Sequence, residues 1–238
     1  MSTPYGLKSS ETCVNCKLRG NSFFCQLSNS ALHDLDSVKY TSSYPQGAVL
    51  FMEKQAARGI YIICDGQIKL SISSSEGKTL IMRIAKAGEV LGLTSALSGV
   101  PYEVTAEVLR PCQVTFMRRE DFLHFLAQHP DVYRAVLAQI GAQYQTACEQ
   151  IRTLGLSSSV TERVAKLLLD WTQATSNIKI NKHTKMPLTH EEIAEFVGTT
   201  RESVTRTLSD FKRRQLIELN GSTLTIPDRE ALEECVSA

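Results

Sequence analysis

Glu202 and Arg206 stand four residues apart in the segment Thr199–Gln215. At about 100° per residue, a helix there places them on one side with Ser209 and Arg213, and puts Val204, Leu208 and Phe211 on the other. A guanidinium fork donates two hydrogen bonds to guanine, and a carboxylate accepts one from cytosine N4. A Glu and an Arg one helical turn apart can therefore read adjacent base pairs. The same spacing also suits a surface ion pair, or a Glu that caps its own helix. From Gly198 to Gln215 there are five basic residues against two acidic, a local excess of +3 in a chain whose formal net charge is only +1. Evidence for a nucleic-acid partner is therefore local.

Such a face needs elements to hold it. Upstream, Leu188–Gly198 reads as a short helix: Thr189 and Glu192 make a capping box, and Gly198 ends it. A second helix begins at Thr199 or Thr200 after a very short turn, the helix-turn-helix pattern. Downstream, two apolar strands flank Asn220-Gly221, a strong hairpin signal that forms a wing. The candidate DNA-contacting residues are Arg201, Glu202, Thr205, Arg206, Ser209 and Arg213, with Thr189 and Thr200 at the two helix starts. The chain from about residue 160 is expected to be helical until that closing hairpin, with Val164, Leu167, Leu168 and Trp171 on one helix face.

From about residue 44 to 117 apolar residues alternate with period two: Ile62 and Cys64, then Ile68, Leu70 and Ile72, then Leu80, Met82 and Ile84. Asp65-Gly66, Ser75–Gly77 and Lys86–Gly88 read as turns between them, and Pro111 as the break before a strand carrying Cys112, Val114 and Phe116. Short strands at this spacing predict an antiparallel barrel or sandwich. Beyond Pro130 the period changes. Tyr133, Leu137, Ile140, Tyr144, Ala147, Ile151 and Leu154 follow one another at spacings of 4 and 3. That heptad seam predicts a helix paired with its own copy, although an amphipathic helix packed on its own barrel would share the pattern. Gly155 and Leu156–Ser159 read as a hinge. The fold class expected is α+β: a β-barrel or jelly-roll sensor domain, a long dimerisation helix and a C-terminal winged helix-turn-helix. The domains are read as residues 1–27 (a Cys-containing segment), 28–127 (barrel), 128–156 (dimerisation helix) and 157–238 (DNA binding).

Composition narrows the function classes. Hydrophobic residues make up 42% and charged residues 21% of the 238-residue chain, ordinary values for a globular protein. No apolar run is long enough for a membrane span. The start lacks an apolar stretch after a basic region, so no secretory signal is expected, and a cytoplasmic location follows. Seven cysteines then do not read as a disulfide framework. The five histidines are scattered outside any metal or nucleophile motif, and no phosphate loop or nucleophile elbow occurs, so an enzyme is not expected.

The stretch Leu188-Thr-x-Glu-Glu-Ile-Ala-x-x-Val-Gly-x-Thr-Arg-Glu-Ser-Val-Thr-Arg-x-Leu208 resembles the helix-turn-helix signature of the Crp/Fnr family of bacterial transcriptional regulators. Pro45-x-Gly47, Tyr61-Ile-Ile-x-x-Gly66-x-Ile-Lys-Leu70 and Gly88-Glu-Val-Leu-Gly92 resemble its cyclic-nucleotide-binding-like barrel. The resemblance covers nearly the whole chain in the family's domain order. It implies that Arg201, Glu202 and Arg206 read a palindrome of double-stranded DNA with a TGA-type core in each half-site, and that RNA polymerase is a partner.

The effector is a separate matter. Cyclic-AMP binders of the family carry a Glu soon after the glycine matching Gly92, and an Arg-Ser pair further on. Here Leu93-Thr94-Ser95 and Tyr102-Glu103-Val104-Thr105 occupy those stretches, and no Arg lies between Arg83 and Arg110. A cyclic phosphate lacks its charge partner, so cyclic AMP is disfavoured. Cys13-x2-Cys16-x8-Cys25 with a distant Cys112 resembles the family's oxygen-sensing branch, which implies a [4Fe–4S] cluster on four thiolates. The gap before Cys25 is longer than in that branch, zinc also suits four sulfurs, and Cys112 shares the parity of Val114 and Phe116 as a core residue would. The alternative is a regulator sensing a small ligand other than cyclic AMP, with structural cysteines.

Overall fold

The computed structural model describes residues 12–16, 24–173 and 184–236. Its contacts divide the chain into two units. One is built from residues 1–72 and 82–147, the other from 73–81 and 148–238.

The first unit opens with helix α1 (Asn29–Val38), capped by Ser28 Oγ, which accepts from Ala31 N at 3.3 Å. Strands β1 (Tyr40–Tyr44), β2 (Val49–Phe51), β3 (Gly59–Ser73), β4 (Thr79–Lys86), β5 (Val90–Leu91) and β6 (Thr105–Arg118) form one sheet in the order β1-β6-β3-β4. β2 adds to β6, and β5 to β3. The pairs β1·β6, β2·β6, β3·β5 and β3·β6 are antiparallel. This is the jelly-roll-like sheet of an α+β fold. Helix α2 (Leu93–Ser98) follows β5, and α3 (Arg119–Gln128) follows β6. Two apolar cores form: Phe51, Ile63, Ile68 and Val108 pack within the sheet, while Leu32, Leu35, Ile60 and Phe122 bury α1 and α3 against it.

Two expected breaks are absent. Asp65-Gly66 does not turn the chain, and Pro111 does not start a strand, because β3 and β6 run through them paired to each other. The register shifts around Asp65 and Gln67 instead, so these residues form a bulge. Gly66 is at φ +96°, and a β-carbon there would lie 2.5 Å from both Cys112 Sγ and the Pro111 carbonyl oxygen. Only glycine fits this left-handed, crowded position, and a proline is tolerated at a bulge.

Helix α4 spans Val132–Leu156. Val132, Val136 and Gln139 form its buried stripe, the valines joining the α1–α3 core. Gln139 Nε2 and Gln143 Nε2 both donate to the Val90 carbonyl, at 2.7 and 3.1 Å.

In the second unit, α5 (Val160–Gln173) buries Val164, Ala165, Leu167 and Leu168. Next come β7 (Thr184–Lys185), α6 (His190–Val197), α7 (Arg201–Arg213), β8 (Glu218–Asn220), β9 (Thr223–Thr225) and α8 (Arg229–Glu234). The small sheet runs β7-β9-β8. The chain therefore does not close on its hairpin. β7 adds a third strand, and α8 follows, started by Asp228 Oδ1 accepting from Ala231 N. The hairpin turn is Gly221-Ser222, one residue later than expected, because Asn220 pairs with Thr223 and Gly221 takes φ +60°. Trp171 is half-buried and donates from Nε1 to the Lys185 carbonyl at 3.1 Å.

Candidate nucleic-acid interface and effector cavity

Each helix of the reading unit begins on a threonine cap. Thr189 Oγ1 accepts from Glu192 N at 3.1 Å, and Glu192 Oε2 accepts from Thr189 N at 2.9 Å, completing the capping box. Gly198 closes α6 at φ +64°, and Arg163 Nε donates to the Val197 carbonyl at 2.8 Å, satisfying one of its last acceptors. Thr200, not Thr199, caps α7, its Oγ1 accepting from Ser203 N at 3.3 Å. Ile193, Ala194 and Val197 of α6 and Val204, Leu208 and Phe211 of α7 are buried. Arg201, Glu202, Thr205, Arg206, Ser209 and Arg213 are all exposed.

The outer face of α7 is partly engaged with itself. The hydroxyls of Thr205 and Ser209 donate to the carbonyls of Arg201 (2.9 Å) and Thr205 (2.8 Å). Arg213 is ion-paired to Asp210, which also faces Arg214 at 3.5 Å, so part of the local positive excess is neutralised within the helix. Glu202 is held below the usual carboxylate range by its own backbone N–H, then by Thr200, with Arg201 and Arg206 adding to the effect. It is therefore an ionised acceptor. The hairpin wing stands beside this unit, β8 and β9 following α7 directly.

The seven seam residues of α4 fall into two groups. Leu137, Tyr144 and Ile151, one heptad apart, are 67%, 71% and 65% exposed, and Tyr133 is exposed as well. Ile140, Ala147 and Leu154 are half-buried within their own protomer. Ile140 packs against the α1–α3 core, Ala147 lines a cavity, and Leu154 Cδ2 would lie 3.1 Å from a β-carbon on Gly198. Large apolar side chains exposed in one stripe mark an interaction face.

That cavity, of about 300 Å³, lies within the first unit between the sheet and α4, against Leu70, Met82, Leu91, Tyr102, Gln143 and Ala147. Arg83 and Glu103 are the two ionisable side chains of opposite sign in its wall. Arg83 is ion-paired to Glu89, and Glu103 is exposed.

Cys13 and Cys112 lie in different cores. Cys112 is fully buried in the core of the sheet with Ile68, Val108 and Val114, its thiol donating to the carbonyls of Arg110 (3.0 Å) and Gln67 (3.4 Å). Burial pushes that thiol up to about 11. Cys13 packs on the other core. Its N–H donates to both carboxylate oxygens of Asp36 at 3.0 Å, and its sulfur accepts from Lys39 Nζ at 3.1 Å. Burial outweighs that lysine and pushes the Cys13 thiol up to about 12. Cys16 shares the turn, its N–H 3.4 Å from the Cys13 carbonyl, and the side chain of Cys25 lies outside the described residues. Among the described residues no three His, Cys, Asp or Glu side chains are grouped to hold a metal. β6 commits Cys112 to the sheet core, as its parity with Val114 and Phe116 allows.

The comparisons with known proteins follow this division. Residues 41–129 match the cyclic nucleotide-binding domain and residues 162–235 the Crp-like helix-turn-helix domain. The HTH-type transcriptional regulator Cmr of Mycobacterium tuberculosis is 30% identical over 204 residues, covering 85% of this chain and 78% of that protein. The chain belongs to the Crp/Fnr family. A CRP-like cAMP-activated global transcriptional regulator of M. tuberculosis is 26% identical over 208 residues, covering 85% of this chain and 91% of that one. The structure of FixK2 from Bradyrhizobium japonicum superposes with a TM-score of 0.74 at 22% identity, over 84% of this chain and 98% of that one. This Crp/Fnr chain is a transcriptional regulator with a DNA-binding helix-turn-helix and an effector-binding domain. Crp/Fnr regulators bind DNA as dimers through that helix-turn-helix. The relatives are transcriptional regulators rather than enzymes, and no helix among the described residues is long and apolar enough to cross a membrane.

Sequence reasoning passed over His190, Gln139, Gln143 and Arg83. None stands in a motif; Gln139 and Gln143 meet Val90 and His190 meets Thr205 only through the fold, while Arg83 meets Glu89 across a turn.

Proposed function

We propose that this regulator binds a palindromic DNA site as a homodimer, reads each half-site with Arg201, Glu202 and Arg206, and answers to a small effector in the cavity beside α4. The observation that carries the reading is the division of α7: its inner face is buried, while Arg201, Glu202 and Arg206 in its N-terminal part are exposed and aimed outward. That end of a recognition helix is the part that reaches base edges. Thr189, Thr200, Thr205 and Ser209 lie where hydroxyls can meet phosphates or bases, and Arg213, further along, suits a phosphate. The half-site core is of TGA type, and RNA polymerase is the partner at the promoter, both carried over from the family.

The dimer forms on the row of Leu137, Tyr144 and Ile151, with Tyr133, Ile140, Ala147 and Leu154 flanking it. Relatives bear names that include activation by cyclic AMP. Against that ligand here, Arg83 of the cavity wall is already paired to Glu89. Ala147 belongs both to the cavity wall and to the seam. A ligand that binds the two states of the dimer differently would shift them.

The test is to fill the cavity. Val104→Trp should change affinity for a cognate duplex by about tenfold or more, in either direction, with the protein still folded by circular dichroism. An unchanged affinity would count against the cavity as the control site.

A further inference from the structure

The cavity wall is unevenly supplied with hydrogen-bonding groups. Four of its side-chain donors face other partners, and the Thr94 hydroxyl remains. Tyr102 Oη donates to the Gly59 carbonyl at 2.7 Å, Ser95 Oγ to the Pro101 carbonyl at 3.1 Å, and Gln143 Nε2 to the Val90 carbonyl at 3.1 Å. Arg83 is held by Glu89, whose other oxygen accepts from Lys86 N at 2.8 Å. That carboxylate is therefore fixed at the Lys86–Glu89 turn, and Arg83 is not free to swing to a ligand without leaving it.

Glu103 is in the opposite condition. It lines the same cavity, at its exposed edge, and makes no hydrogen bond or ion pair among the described residues. Partial desolvation is the one influence on its carboxyl, and it raises the pKa. The remaining wall is apolar, with Phe51 stacked on Tyr102 at a ring distance of 4.0 Å and Leu70, Met82, Leu91 and Val104 around them. A polar group left in such a wall sets the polarity of what binds there. Here it is an unpaired acceptor carrying negative charge.

We infer that the cavity takes a small amphipathic cation, whose apolar body packs against Phe51, Leu70, Met82 and Val104 and whose ammonium or amidinium group pairs with Glu103 at the mouth. The inference rests on the proposal that this cavity is the effector site. An anion would meet Glu103, with Arg83 already paired to Glu89. A neutral ligand would fill the apolar body and leave Glu103 as it is.

The test is a calorimetric titration of the full-length protein with three probes of one skeleton: phenethylammonium, phenethyl alcohol and hydrocinnamate. The ammonium should bind about twofold to fivefold more tightly than the alcohol, and the carboxylate most weakly. Raising salt to about 1 M should erode the advantage of the ammonium, because Glu103 is at the surface. Glu103→Gln should reduce the ammonium to the affinity of the alcohol and leave the alcohol unchanged, and Val104→Trp should abolish both. If ammonium and alcohol bind equally, or Glu103→Gln leaves the ammonium unaffected, while Val104→Trp still removes binding, the cavity stands and the cationic class is wrong. If no probe binds, or Val104→Trp changes nothing, both the cavity and the inference fall.

Discussion

His190 Nδ1 lies 2.9 Å from Thr205 Oγ1, tying the first residue of α6 to the middle of α7. The Thr205 hydroxyl proton is given to the Arg201 carbonyl, so the hydroxyl oxygen accepts and the imidazole carries its proton on Nδ1. This bond joins the polar faces of two helices whose apolar faces already pack together. Arg206, the next residue, is exposed beside it.

Arg206 should therefore act as a base reader. Arg206→Ala should cost roughly 1–3 kcal/mol on the cognate duplex and relax preference at one base pair per half-site, measured by fluorescence anisotropy on a panel of single substitutions. Arg213→Ala should weaken all duplexes alike and flatten the salt slope by at most about one unit, since Asp210 already shares its charge. Uniform weakening in both variants would remove Arg206 from the role of reader.

The row of Leu137, Tyr144 and Ile151 should carry dimerisation. Leu137→Glu with Ile151→Glu places two carboxylates in the seam of each protomer, an environment that strongly disfavours charge. Sedimentation should show a monomer with an unchanged circular dichroism spectrum, and DNA affinity should fall with it. A double variant that remains dimeric would move the interface elsewhere.

The heptad was legible because Tyr133 to Leu154 keep a strict 4-3 spacing, but that spacing cannot say which row faces the partner. Only the fold shows Ile140, Ala147 and Leu154 turned partly inward. The helix-turn-helix was readable almost to the residue, since caps at Thr189 and Gly198 are local chemistry. Asp65-Gly66 misled for a physical reason: a left-handed glycine serves a bulge as well as a hairpin, and only the long pairing of β3 with β6 decides between them. β7 and α8 are too short to show a period. Cys112 was ambiguous because a core thiol and a metal ligand are the same residue type, and its parity with Val114 signalled the core position it takes.

Cys112 should behave as a core thiol. Burial raises it to about 11, so at pH 8 about one part in a thousand is thiolate, and even that fraction is inaccessible. The sign is that of an acid whose charged form is desolvated: reactivity should rise only as pH climbs toward that value. Iodoacetamide should spare Cys112 in the native protein and alkylate it once denaturant is added, as read by peptide mass spectrometry. Rapid native labelling of Cys112 would contradict its place in the sheet.

The central claim, that a dimer of this chain reads an inverted repeat through α7, is tested most directly by selecting duplexes from a random pool with the purified protein. The selected sites should be palindromes whose half-sites are centred about one helical turn, roughly 34–36 Å, apart. Each should be bound by two protomers, and the same selection with Arg206→Ala should lose the preference at one symmetric pair of positions. Enrichment of unpaired or unrelated sequences, or one protomer per selected site, would contradict the account.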